Sequence, residues 1–348
     1  MLQFKKICTW VLAGALAFSV AGCQPQTQPQ AQNEEPTAEQ ERFDAFIEKE
    51  FVDTMESDYT TAHVYLQDPE SFGVDPDKIS VSLGTRMDEE SQQASLDAFE
   101  ATCEEFRTFD RDELSAEQQD IYDIFDYQVS LSESLSDERF DYYAPMFESI
   151  SGLHYQLPTL FADWQLRNEE DVQDLITLMS DVRPYVDSAL EYTRTQEEKG
   201  LLMLDLDSVI SYCEGIVESG EDSAVLQAMN DSIAALELGE EKTAQYQEQL
   251  RTAFSDSFLS AYQDILDTMR ELQSSGENNE QGLAQFEYGK EYYALLLQQS
   301  IGSNKTPEEV KAMMEEAFNE HLQQLQMYAM AYPEETEQVL SQDLPKTG

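Results

Sequence analysis

Residues 37–66, "TAEQERFDAFIEKEFVDTMESDYTTAHVYL", decide the fold class of this chain. Thr37, followed three residues later by Gln40, has the spacing of a capping box, in which two side chains bond the free backbone N–H groups at a helix start. Large apolar residues then recur every three or four positions, which is the spacing of one helix face. These residues are Phe43, Phe46, Ile47, Phe51, Met55, Tyr59 and Leu66. The stretch therefore predicts an amphipathic helix with one buried face.

The capping-box pattern recurs along the chain. Ser115 and Gln118 form a second capping-box pattern, and Thr306 and Glu309 form a third, with Pro307 at the first helical position. The periodicity predicts further helices over 88–108, 169–198 with an interruption near Pro184, 206–218, 222–236, 240–273 and 286–300.

One stretch has the pattern of a strand, "ISVSLG" from Ile79 to Gly84. No repeat of fixed period is present. We therefore predict an all-α, multi-helix domain of about ten helices over residues 37–348, preceded by a lipoprotein signal peptide and a flexible tether.

The N-terminus has the order of a bacterial signal peptide. Lys5 and Lys6 precede an uncharged apolar run that is too short for a membrane-spanning helix and ends at Cys23 in the sequence "VAGC". This lipobox resembles lipoprotein signals, which implies removal of residues 1–22 and a diacylglyceryl thioether on Cys23. An ordinary secretory signal cut elsewhere is the alternative. Two acyl chains anchor a protein stably, so we expect a lipid membrane partner and an extracytoplasmic location.

Residues 23–36 are rich in Gln and Pro and hold no large apolar residue, which predicts a flexible tether. At the other end of the sequence, Leu344–Gly348 spells "LPKTG". A sortase signal would need an apolar span and a basic tail behind this motif. We therefore interpret it as a turn built on Pro345 and Gly348.

The charge balance excludes nucleic acid as a partner. The chain has 20 Lys and Arg against 71 Asp and Glu, a formal net charge of −51, whereas phosphate binding depends on basic patches. The acidic residues are spread over every predicted helix. They are typical of solvated helix faces.

The sequence contains no recognisable catalytic or metal site. His63, His154 and His321 have no ligand partner at helical spacing, and HExxH is absent. We expect His321 to pack on an apolar helix face with Met314, Ala317, Phe318 and Leu325, and His63 and His154 to lie at the surface or in loops. The Asp-rich stretch 67–78 departs from an EF-hand, because its Gly and closing Glu are misplaced. Cys103 and Cys213 fit two buried thiols better than a disulfide, which stays possible in an oxidising compartment.

The stretch from Gly282 to Phe318, "GLAQFEYGKEYYALLLQQSIGSNKTPEEVKAMMEEAF", resembles a segment of the bacterial lipoprotein family known as domain of unknown function 885. Pieces that agree with the family in order are "DPESFG" from Asp68, "LSAEQQDIYDIFDYQ" from Leu114, "LPTLFADWQLRNEEDVQDLITLM" from Leu157 and "EEKGLLMLDLDSVI" from Glu197. The resemblance thus covers nearly all of the chain after the tether.

That family is similar to zinc metallopeptidases that carry HExxPGH in a C-terminal half. The resemblance implies that this chain corresponds to the N-terminal, non-catalytic half. No catalytic residue can be assigned, no cofactor is expected in this chain, and zinc is expected only in a full-length product. Lys290, Tyr292 and Tyr293 then become candidates for the wall of a cleft that binds peptides, with core aromatics as the alternative for the two tyrosines.

Two interpretations of the whole chain stay open. The first is a membrane-anchored extracytoplasmic lipoprotein that forms the front part of a longer metallopeptidase-like product. The second is a self-sufficient helical lipoprotein that binds a peptide or protein and has no enzymatic activity. A continuing reading frame with HExxPGH would favour the first interpretation.

Overall fold

A computed structural model describes residues 35–341 of the chain. The predicted signal peptide, Cys23, nearly all of the tether and the "LPKTG" motif lie outside the described residues. The chain divides into two compact units, Met1–Gly289 and Lys290–Gly348. The described parts of these units, 35–289 and 290–341, are taken in turn below.

The all-α fold class is confirmed, and the described residues contain no strand. The helices of the first unit are α1 (Ala38–Ser57), α2 (Tyr59–Tyr65), α3 (Glu89–Phe106), α4 (Ala116–Leu135), α5 (Leu153–Ala162), α6 (Glu169–Glu198), α7 (Leu206–Ser219), α8 (Ala224–Ala235), α9 (Glu240–Ala253) and α10 (Ser260–Ser275). The other helices are α11 (Gly289–Ile301), α12 (Pro307–Ala331) and α13 (Pro333–Leu340). The three short helices α2, α5 and α13 were not predicted as separate elements.

The predicted capping boxes form. Thr37 Oγ1 accepts the backbone N–H of Gln40 at 3.3 Å, and Gln40 Oε1 accepts the N–H of Thr37 at 3.1 Å. The helix predicted over 37–66 is nevertheless divided at Asp58, which has an extended backbone and whose carboxylate accepts the N–H of Thr61 at 3.1 Å. A short side chain that ends in a carboxylate can accept hydrogen bonds from nearby backbone N–H groups. Such a residue therefore favours the start of a helix over its interior.

The predicted interruption at Pro184 is wrong, because α6 runs through this residue. Proline has no N–H, so the carbonyl of Ser180 loses its helical donor. The hydroxyl of Ser257 takes that role: it donates to Ser180 O at 3.1 Å and accepts the N–H of Arg183 at 2.9 Å. Ser257 lies in a π-helical turn, Phe254–Leu259, between α9 and α10. A neighbouring helix therefore replaces the missing bond.

A second proline inside a helix is accommodated in the same way. Pro158 in α5 removes the donor for the carbonyl of His154, four residues earlier. The buried hydroxyl of Tyr262, on α10, donates to this carbonyl at 2.6 Å. Residues 254–275 thus complete the backbone bonding of both proline-containing helices.

The strand predicted over Ile79–Gly84 is also wrong. This segment is irregular and is fixed to α6, where the carboxylate of Asp181 accepts the N–H of Leu83 at 2.8 Å. Gly84 follows with a φ of 97°, which favours glycine. Apolar alternation alone cannot make a strand without a neighbouring strand to bond its backbone.

Three hydrophobic clusters support the first unit. The largest surrounds α6, where Val172, Leu175 and Met179 are fully buried. A second cluster is aromatic and joins α1, α3 and α4, and a third, small cluster lies near α2. Cys213 belongs to the first cluster and Cys103 to the second, and the two sulfurs are not bonded to each other.

The second unit has a long exposed apolar surface. Helix α12 spans 25 residues and contains no buried residue. Its exposed apolar side chains include Met313, Met314, Phe318, Leu325, Met327, Tyr328 and Met330. None of the described helices is both long enough and apolar enough to cross a membrane.

Candidate functional site

A cavity of about 610 Å³ in the first unit is the main candidate site. Its apolar walls come from separate parts of the chain: Leu83 and Met87 precede α3, Leu96 lies on α3, and Leu157 and Leu160 lie on α5. A volume of about 300–1,000 Å³ with mostly apolar walls is typical of small-molecule sites. Sequence reasoning missed this site, because no local motif links the segments that form it.

The helical period of α5 explains why it divides between cavity and core. Leu153, Leu157 and Leu160 lie at i, i+4 and i+7 and line the cavity. His154 and Phe161 lie next to Leu157, at i−3 and i+4, and are buried in the core on that side of the helix. The chain enters α5 through Gly152, where a Cβ would overlap the backbone oxygen of Glu148.

The rim of the cavity lies directly before Gly152, at the start of α5. Ser151 and Ile150 lie directly before Gly152 and line the cavity. Ile150 is 88% exposed, so a large aliphatic side chain is presented to solvent at the edge of an apolar cavity. Isolated exposed apolar residues are common, but this one is continuous with the cavity walls.

Five polar side chains of the lining bond within their own segments. Thr60 donates to the carboxylate of Asp58 at 2.8 Å, and Ser151 donates to Glu148 at 2.6 Å. Bonds to backbone oxygens are Gln92 to Arg86 (2.7 Å), Ser95 to Ser91 (3.0 Å) and Thr159 to Tyr155 (3.0 Å). These donors are already used, so the lining presents mainly hydrocarbon to a ligand.

The lining has little charge. Asp58 is the only charged residue among the described residues that line the cavity, and its carboxylate already caps α2. Arg86 lies next to the lining, where it pairs with Asp181 and lies 5.3 Å from the centre of the Tyr185 ring. Burial raises the pKa of Tyr185 to about 12, so its hydroxyl stays protonated in the cavity wall.

The prediction for His63 is wrong, because this residue is buried on α2. Its ring stacks on Trp164 at 4.3 Å, and its Nε2 lies 2.8 Å from the carbonyl oxygen of Gln165 and therefore donates to it. Arg167 donates to the backbone oxygen of His63 at 2.7 Å. Burial is the largest cause that lowers the pKa of His63, and the positive charge of Arg167 adds to it. The ring joins α2 to the segment before α6.

The prediction for His154 is wrong too, since α5 turns this residue into the core. The side chain is fully buried between aromatic rings, with Tyr155 at 4.8 Å and Tyr212 at 5.4 Å. Neither ring nitrogen has a hydrogen-bond partner among the described residues. Burial lowers the pKa of His154 to about 4, so the ring is neutral at physiological pH.

His321 was predicted to pack, but it is exposed, as is all of its helical neighbourhood on α12. The periodicity of α12 is correct, but a period cannot tell whether another element covers the face it marks. No group of three His, Cys, Asp or Glu side chains in residues 35–341 is placed to hold a metal ion.

The three residues predicted to line a cleft, Lys290, Tyr292 and Tyr293, lie at the start of α11 and differ in exposure. Tyr292 is buried, whereas Tyr293 is half exposed and lines a depression in the second unit with Leu297, Met314 and Phe318. Lys290 is exposed. Tyr292 is therefore a core aromatic, whereas the assignment of Lys290 and Tyr293 to a cleft wall stays a prediction.

Gly289, which opens the "GKEYY" stretch, is required for structural reasons. A Cβ at this position would overlap the backbone oxygen of Leu283. The preceding loop is also fixed, because Asn278 exchanges two hydrogen bonds with the backbone of Leu204, at 2.8 and 2.9 Å. The loop that precedes Gly282 is therefore bonded to Leu204, which lies in the sequence stretch that begins at Glu197.

Comparison with known proteins identifies a matching family and a solved structure with a similar fold. A family model described as "Bacterial protein of unknown function (DUF885)" matches residues 70–343. No curated protein gives a significant match.

A solved structure described as "the putative lipoprotein from Colwellia psychrerythraea" is similar, with 15% sequence identity and a TM-score of 0.70. The match covers 85% of this chain and 52% of the solved one. At this identity the likeness establishes the fold alone. The chain spans about half the length of the solved structure it matches.

Proposed function

The chain belongs to the bacterial family of unknown function DUF885, and from this premise we propose that it is a lipoprotein anchored by acylated Cys23 on the extracytoplasmic side of the membrane. Within that protein, the described helices form the N-terminal, non-catalytic part of a longer, metallopeptidase-like fold.

The lipobox is the observation that carries the anchor. Val20–Cys23 follows a basic start and an apolar run in the order that signal peptides require. The description of the Colwellia psychrerythraea structure as a lipoprotein agrees with this assignment. Two acyl chains on one cysteine supply the two-chain anchoring that a stable membrane attachment needs.

Metabolic labelling with a fatty acid in a bacterial host tests the anchor. We expect the chain to take up label and to sediment with membranes, and we expect Cys23→Ser to lose the label and to be released or mislocalised. Cys8→Ser is the matched control, because Cys8 leaves with the signal peptide and should not affect labelling. A labelled Cys23→Ser product would overturn the assignment.

The exposed surface of α12 supports the longer fold. Met314 and Phe318 are 67% and 66% exposed, and they belong to a continuous apolar face. Apolar patches larger than a few hundred Å² are rare on soluble monomers and mark interaction surfaces, and further helices of a longer fold would supply such a contact. The match to about half of a solved chain agrees with further helices in the family fold.

The second candidate is a binding module that acts without catalysis. The 610 Å³ cavity favours it, because all of the described residues that line this cavity lie in the first unit. The test of this candidate is whether the lipid-free chain binds any small ligand with a stoichiometry of one. Failure to bind would remove the candidate and leave the anchor untouched.

A further inference from the structure

We propose that the cavity beside α5 is a binding site for a small uncharged molecule with an aliphatic or aromatic body. The inference deepens the second candidate function and rests on it. It does not depend on the lipid anchor.

The shape of the walls supports this class of ligand. Two helices supply a continuous hydrocarbon surface through Leu96, Leu153, Leu157 and Leu160, and Met87 adds a flexible side chain. Burying such walls against an apolar ligand removes both surfaces from water, which is favourable in proportion to the area. Methionine adapts to ligands of different outline.

The hydrogen bonds of Gln92, Ser95 and Thr159 disfavour a strongly polar ligand, and the hydroxyl of Tyr185 is left as a donor for at most a small polar group. Ser95 and Thr159 give their hydroxyl protons to backbone oxygens of their own helices, at 3.0 Å in each case. Gln92 gives an amide proton to the backbone of Arg86. A polar ligand would lose its water without gaining these donors, and an unpaired polar group in an apolar site is costly.

The charges exclude an anion. The one charged residue in the described lining is Asp58, which is acidic. The guanidinium of Arg86, next to the lining, pairs with Asp181 through one nitrogen, and its Nη1 is buried without a hydrogen-bond partner among the described residues. The chain as a whole has a formal net charge of −51. An anionic ligand would therefore meet repulsion at long range and no cationic side chain among the described residues that line the cavity.

A pair of matched fluorescent probes tests this selectivity. N-phenyl-1-naphthylamine is uncharged, and 1-anilinonaphthalene-8-sulfonate has the same ring system with a sulfonate added. We expect the chain, carrying Cys23→Ser so that no acyl chain competes, to bind the uncharged probe with one site per chain by calorimetry. Binding of the sulfonate should be weaker by about tenfold or more, since its charge finds no partner.

Two variants place the probe in the cavity. Ser95→Trp puts a large ring into it and should abolish binding, whereas Gln93→Trp, on the same helix but outside the lining, should not. Thr85→Arg adds a cation to the lining and should bring the affinities of the two probes closer together. Far-ultraviolet circular dichroism checks that each variant folds.

A last variant separates the cavity from the apolar face of α12. Met314→Gln combined with Phe318→Gln should leave the stoichiometric binding unchanged. Binding that survives Ser95→Trp, or that is lost in this double variant, would overturn the site. Equal or tighter binding of the sulfonate would overturn the ligand class while leaving a binding module, and binding of neither probe would remove both.

Discussion

His154 should make the stability of the protein fall as the pH falls from about 6.5 to about 4. Its ring is fully buried, has no hydrogen-bond partner among the described residues and has a pKa lowered to about 4. In the unfolded chain a histidine titrates near about 6.5. Between these two pH values the unfolded chain binds a proton that the folded chain does not bind. The free energy of unfolding therefore decreases as the pH falls.

The size of the effect follows from the two pKa values. They differ by about 2.5 units, and each unit corresponds to about 1.4 kcal/mol, so the free energy of unfolding should fall by about 3 kcal/mol across the window. This stability is fully present above about pH 6.5 and is lost below about pH 4. His63 contributes in the same direction, because burial also lowers its pKa.

Urea unfolding at several pH values between 4 and 7 measures this effect. His154→Leu removes the titrating group and should flatten the curve by about 3 kcal/mol relative to the parent chain. His63 is present in both proteins and cancels. His321→Leu is the matched control, since it makes the same substitution at an exposed position. Parallel loss of stability in the parent chain and His154→Leu would refute the reasoning.

Two further predictions follow from the packing. Ser257→Ala should lower the free energy of unfolding by about 1–3 kcal/mol, because the substitution leaves the carbonyl of Ser180 and the N–H of Arg183 without their partner beside Pro184. Chemical denaturation measures this loss of stability. An unchanged midpoint would contradict the role given to Ser257. The purified chain should self-associate through α12, and Met314→Gln with Phe318→Gln should reduce this association in sedimentation velocity. A parent chain that stays monomeric at all concentrations would contradict that expectation.

Local patterns predicted the helices well, since their causes are local. Thr37, Ser115 and Thr306 start helices through bonds within four residues, and each starts its helix as predicted. The break at Asp58 has a local cause too, but the apolar period that continues beyond it conceals the change of helix.

Long-range contacts explain the features that the sequence did not predict. Pro184 stays inside α6 because the hydroxyl of Ser257, 73 positions later in the chain, donates the missing hydrogen bond to the carbonyl of Ser180. The cavity is formed by Leu83, Leu96 and Leu157, whose spacing in the chain has no period. His154 and His321 were assigned to the wrong environments because burial depends on which element packs against a helix face.

The central claim of a non-catalytic part of a longer fold is tested most directly by zinc content. A catalytic zinc site needs three protein ligands and an open position, and no such group of ligands occurs in residues 35–341. Elemental analysis should therefore find no stoichiometric zinc in the purified 348-residue chain, and a peptide-library assay should find no cleavage. A longer product that includes HExxPGH should hold zinc. One tightly held zinc per 348-residue chain, lost on replacement of His63, His154 or His321, would contradict the account.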